Sequence, residues 1–194
     1  MATDDQERVD QVVPSCPWSE RLRIEWPDGT AHLILWPTAL LGLALDLWTK
    51  HAVFAWLRPE PDQSAEIING FLTFRLALNT GAAFGIASGR LPFLIGVSVL
   101  ALIIILGVFF LGGARQRIVQ AALGLFAAGV SGNLWDRIFN GGRVRDFIDV
   151  VYWPGRHWHT FNVADAMLCF AVGLLIIATF LTDSSDRRHA QPQK

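Results

Sequence analysis

Apolar positions fall into four long blocks, and the polar positions between them are unevenly shared. The blocks cover Leu33–Trp56, Leu91–Leu111, Ile118–Trp135 and Val163–Leu181. Each approaches or exceeds the ~20 residues that carry a helix across a bilayer. The second block contains no charged residue, and in lipid such a run satisfies its backbone polar groups only as a helix. The third is the shortest, and a buried helix of a soluble domain is the rival reading for it. The pattern predicts an all-α integral membrane protein, a four-transmembrane-helix bundle spanning residues 33–181. Residues 1–32 form a polar extension, expected to be poorly ordered, with Trp18, Ile24 and Trp26 resting on the membrane interface. Residues 182–194 are expected to be a disordered tail.

Four spans place both termini on one side of the membrane. The connections Leu57–Arg90 and Asp136–Asn162 then share the other side, while Gly112–Arg117 is only a turn. The first long connection carries Asn69-Gly70, a hairpin signal, followed by β-compatible residues from Phe71 to Leu78. They predict a small sheet, a cradle lying on the membrane surface. Lys and Arg number eight on the terminal side and seven in the long loops. The positive-inside rule therefore favours cytoplasmic termini narrowly, helped by Arg115 and Arg117 crowding the short turn.

Composition narrows the function classes. A net charge of −1 gives no pull towards nucleic acid. Cys16 and Cys169 lie in unlike segments and imply no disulfide framework. Pro14-Ser15-Cys16 lacks the preceding apolar run of a lipidation site, and the acidic start lacks the layout of a secretory signal. Without internal repeats, an inverted-repeat transporter is not supported.

The acids carry the candidate chemistry. Asp165 sits inside the start of the last apolar block, and Asp146 lies 19 residues upstream, beyond the end of the third. An ionised carboxylate in hydrocarbon costs several kcal/mol unless paired, hydrated or protonated. Two carboxyls meeting at one membrane face suggest a shared proton. Asp46 and Lys50 are four apart on the first span and share a helix face, so they can pair. Asn133, Asp136 and Arg137 end the third span. All these groups gather towards one leaflet, which argues for a site open to one side and against a pore.

Five blocks carry a family resemblance. They are Leu45-Asp46-Leu47-Trp48-Thr49-Lys50, Asn79-Thr80-Gly81-Ala82-Ala83-Phe84-Gly85, Gly132-Asn133-Leu134-Trp135-Asp136-Arg137, Val144-Arg145-Asp146-Phe147 and Phe161-Asn162-Val163-Ala164-Asp165. Their order and spacing resemble lipoprotein signal peptidase (signal peptidase II) over about residues 33 to 181. The resemblance implies a membrane aspartyl endopeptidase that removes the signal peptide from prolipoproteins, cleaving before a diacylglyceryl-modified cysteine. It implies Asp146 and Asp165 as the catalytic pair. Asn79, Gly81, Phe84, Asn133, Arg137 and Asn162 would bind or position substrate, and Asp46, Lys50 and Asp136 would support the site. It implies no metal or other cofactor. The expected setting is the bacterial inner membrane, with cytoplasmic termini, an extracytoplasmic site, lipid and prolipoprotein as partners, and a monomeric state. The N-terminal extension departs from the family pattern. Arg143 and Arg145 also depart from it and are expected to shift the electrostatics of Asp146.

Other residues invite competing readings. Asp149, three after Asp146, is expected to face water. His157 and His159 flank Trp158 but lack a third nearby ligand, so with Tyr152 and Trp153 they suggest an interfacial aromatic belt rather than a metal site. Gly129-Val130-Ser131-Gly132 resembles the serine box of rhomboid proteases, although no span interior offers a histidine base. Small residues packing helices explain that box better. A non-enzymatic carrier using Asp46 and Lys50 as an ion path is the third alternative, and the one-sided polar distribution argues against it.

Overall fold

The computed structural model describes residues 26–82, 86–112, 114–153 and 155–189, with 182–189 described by their backbone alone. Four helices are long and apolar enough to cross a membrane: α1 (Gly29–Leu57), α2 (Leu91–Phe110), α3 (Arg117–Phe139) and α4 (Val163–His189), the last spanning through Leu181. Strands β1 (Ser64–Ile68) and β2 (Leu72–Asn79) lie between α1 and α2, and β3 (Val144–Trp153) and β4 (Arg156–His157) between α3 and α4. Where a disordered tail was expected from Thr182, the chain remains helical as far as His189. The N-terminal extension lies outside the described residues up to position 25, and its last turn belongs to α1.

Local sequence explains where the spans begin. Asp28 caps α1, its carboxylate accepting from Ala31 N–H at 2.7 Å. Pro92 stands in the first turn of α2, where its missing N–H costs nothing. α3 runs past the Trp135 suggested by hydropathy because Asp136 and Arg137 are buried. It is the hub, packing against each of the other three spans. Of its most apolar stretch 44% is buried, against 17–22% for the others, whose outer faces are left for lipid. Close approach needs glycine. A Cβ at Gly129 would come within 2.7 Å of the Ala164 carbonyl of α4, and one at Gly132 would collide with the Asp46 carboxylate of α1.

The strands form an antiparallel sheet in the order β1-β2-β3-β4. The expected Asn-Gly hairpin joins β1 to β2, with Gly70 at φ 68°. Beneath the sheet, Phe74 and Phe147 meet edge to face at 5.5 Å over Val53, Phe54 and Leu57 of α1. The central strand, β3, is irregular in a way that matters. Phe147 N–H and Ile148 N–H both donate to Phe161 carbonyl oxygen, at 3.0 and 2.8 Å, and Phe161 N–H returns to Ile148 at 3.0 Å. Two residues therefore oppose one, a β-bulge. In a regular strand, residues three apart point to opposite faces. The extra residue brings Asp146 and Asp149 to the same side, and both line one cavity.

Candidate active site

The Phe161–Asp165 block is a helix start. Asn162 precedes the first residue of α4, and its Oδ1 accepts from Asp165 N–H at 3.0 Å. Asp165 Oδ2 accepts in turn from Asn162 N–H at 3.2 Å. This reciprocal pair is the geometry of a capping box, with Asp165 at its third position. Another N–H of that first turn without a partner inside the helix, that of Ala164, is met by Asp46 Oδ1 from α1 at 2.9 Å. The positive end of the helix thus faces two carboxylates.

The two asparagines join the acids. Asn133 Nδ2 donates to Asp165 Oδ1 at 2.9 Å. Asn162 Nδ2 donates to Asn133 Oδ1 at 3.1 Å and to Asp146 Oδ1 at 2.6 Å. Asp146 and Asp165, from a sheet strand and a span, therefore both contact Asn162, which is fully buried. Burial, followed by the neighbouring Asp165 carboxylate, raises the Asp146 carboxyl from 3.8 to about 6, against the pull of Asn162, Asn79 and Lys50.

A buried ionic frame stands behind this chain of contacts. Lys50 Nζ is 2.8 Å from Asp46 Oδ2 and 3.4 Å from Asp136 Oδ2, all three side chains fully buried, and donates to Asn133 Oδ1 at 3.0 Å. Asp136 also takes Arg145, at 2.6 Å from Nη2, 3.0 Å from Nε and 2.9 Å from its backbone N–H. Arg145, expected to act on Asp146, instead neutralises Asp136. Arg137 was expected to bind or position substrate. Its Nη2 donates to Gly81 carbonyl oxygen at 2.9 Å, while its buried Nε has no hydrogen-bond partner among the described residues. Asn79 closes the turn to Gly81 by accepting from its N–H at 2.8 Å. Phe84 lies outside the described residues.

Two expectations change. Asp149 does not face water: it is 2% exposed and bonded to His157. His157 is thus tied to the sheet, whereas Tyr152, Trp153 and Trp158 are exposed, as an interfacial belt requires. In the serine box, Gly129 and Gly132 are packing positions against α4 and α1. Asp149 and His157 are the site neighbours that sequence reasoning missed, and Arg145 was matched with the wrong carboxylate. Only a bulge between Asp146 and Asp149 would have betrayed the second acid. Among the described residues no group of three His, Cys, Asp or Glu is placed to hold a metal ion.

The family model described as signal peptidase (SPase) II matches residues 38–181. The chain belongs to the signal peptidase II family. Among related signal peptidases II, the lipoprotein signal peptidase of Geobacter sulfurreducens is 44% identical over 118 residues, covering 59% of this chain and 72% of that one. That of Staphylococcus aureus strain JH9 is 34% identical over 163 residues, covering 84% and 94%. A bacterial membrane enzyme solved by the in meso method at 2.3 Å has a TM-score of 0.71 at 32% identity, over 87% of this chain and 98% of that chain. A second, at 1.9 Å, has a TM-score of 0.65 at 33% identity, over 80% and 95%. This signal peptidase II is therefore a membrane enzyme, and its five motif blocks fall within or across the matched region.

Proposed function

We propose that Asp146 and Asp165 share one proton and together hydrolyse the peptide bond preceding a diacylglyceryl-bearing cysteine in prolipoproteins. The observation that carries this reading is their common contact with Asn162, beside an Asp146 carboxyl raised to about 6. Charge accounting supports it. Lys50 offsets Asp46 and Arg145 offsets Asp136, which leaves Arg137 to offset one more negative charge. A pair holding one proton makes the cluster neutral, and a fully ionised pair leaves it at an uncompensated −1 in a poorly solvated site.

The roles follow from the contacts. Asp165 accepts N–H bonds on both oxygens and acts as the base. It takes a proton from water as the water oxygen attacks the carbonyl carbon. Asp146 holds the shared proton, steadies the developing oxyanion and gives that proton to the departing nitrogen as the C–N bond breaks. The products are the signal peptide's carboxylate and the free amine of the lipidated cysteine. Asn133, Asn162 and Asn79 hold the pair, and Arg137, anchored on Gly81, holds the substrate backbone. Lipid chains lie between spans, in a monomer with cytoplasmic termini and an extracytoplasmic site.

Lipidated and unlipidated forms of one prolipoprotein peptide, given to the purified wild type, Asp146→Asn and Asp165→Asn proteins, test the reading. Cleavage before the lipidated cysteine by the wild type alone is expected. Near-normal turnover by either variant refutes the pair, and equal rates on the two peptides remove the lipid requirement.

A further inference from the structure

The β3 bulge turns a second acid, Asp149, into the cavity that holds Asp146. The cavity has a volume of about 400 Å³ and is walled by Arg75 and Ala77–Asn79 of β2, by Asp146 and Asp149, and by His157–Thr160. None of these residues belongs to a span. Asp149 is buried, and its two oxygens lie 3.0 and 3.1 Å from His157 Nδ1. Arg75 Nε lies 3.7 Å away. A carboxylate only accepts, so Nδ1 carries a proton and the tautomer of the neutral ring is fixed, with Nε2 as its acceptor. The imidazole is also held in place: β4 is only two residues long, and the Asp149 contact anchors its second residue to the central strand. His157 remains 44% exposed at the cavity wall, so the ring is oriented but not consumed by the fold.

An apolar signal segment partitions into the bilayer, and the scissile bond must reach Asp146. The polypeptide that follows the bond is the part of the substrate outside the membrane, and the cavity beside Asp146 is built wholly outside the spans. Resting on the peptidase reading above, we infer that Asp149 and His157 are a positioning pair for this downstream segment. Asp149 fixes the imidazole, and the imidazole makes a hydrogen bond to an extended, polar stretch of polypeptide. Arg75, on the facing strand, offers a second polar contact at the same wall.

Two lipidated substrates sharing one signal peptide test this. One ends just after the lipidated cysteine, and the other continues for about six residues, roughly 20 Å of extended chain. The His157→Ala variant is expected to raise KM for the longer substrate about three- to ten-fold, the usual worth of one hydrogen bond. Its kcat moves far less, and KM for the shorter substrate stays near that of the wild type. Asp149→Asn shifts the ratio of the two KM values in the same direction, and His157→Gln restores part of it. Because the ratio is read within one preparation, partial misfolding does not alter it. Equal effects on both substrates, or none on either, overturn the inference. Failure of the peptidase reading is distinct: Asp146→Asn would then still cleave both substrates.

Discussion

Replacing Asp146 by asparagine separates chemistry from stability. The folded protein holds this carboxyl at about 6, against 3.8 for an ordinary aspartate, because the site is buried and Asp165 is near. Between those two values the folded state binds a proton that the unfolded chain has released, so stability falls as pH rises through the interval. At pH 7.5 the full penalty is present, about 3 kcal/mol. Asparagine has no proton to lose and can turn its amide oxygen towards Asn162 Nδ2, now 2.6 Å from the carboxylate. Asp146→Asn is therefore expected to lose cleavage and gain stability together. A gain of that size raises the melting temperature by roughly 5–10 °C for a chain of this length. Thermal unfolding in detergent at pH 7.5 and pH 4 provides the check, since the gap shrinks as pH falls towards 3.8 and closes below it, where the folded and unfolded carboxyls are both protonated. A variant that melts below the wild type at pH 7.5, or a gap of equal size at both pH values, would refute the reasoning.

The same titration shapes the rate. In the proposed mechanism the pair holds one proton, which is lost as pH rises through about 6, so kcat/KM should decline on the alkaline side of that value. Bound substrate excludes water and moves the limb for kcat to higher pH, and a flat kcat/KM between pH 5 and 8 contradicts the shared proton. Lys50→Met leaves Asp46 and Asp136 buried without their common cation and is expected to cost about 3–5 kcal/mol. Unchanged thermal unfolding would show that the frame is held otherwise. Gly132→Ala drives a methyl into the Asp46 carboxylate and is expected to cost about 1–3 kcal/mol. Because Asp46 also meets Ala164 N–H, the variant should lose activity as well as stability. Full activity at an unchanged melting temperature would argue against that coupling.

Much of the fold was legible because the bilayer enforces a simple pattern. The charge-free block beginning at Leu91 became α2, ending within a residue of the expected Leu111. The third span was read short because hydropathy sees Asp136 and Arg137 as the edge of the membrane, whereas Lys50 and Arg145 make Asp136 tolerable inside. Half of the sheet was visible in Asn69-Gly70 and the residues after it. β3 was missed because its bulge destroys the alternation by which a strand is recognised, and β2, its longer partner, lies far away in sequence. The same irregularity hid Asp149, whose burial depends on Arg75 and His157 from other strands. The strong contact of Asp136 comes from Arg145 nine residues on and not from the adjacent Arg137, a pairing that only the turn through Gly141 and Gly142 creates.

The doubled step at Phe147 and Ile148 also sets what can be altered in this strand. Exchanging one side chain there for another of similar bulk leaves the spacing intact. Straightening the bulge with both residues kept restores strict in-and-out order over a step of three, and one of the two acids must then swing to the far surface of the sheet. Removing one residue instead leaves the acids two apart and on one face. For whoever re-engineers this stretch, the match between the bulge and the number of residues between Asp146 and Asp149 matters more than their chemical kind.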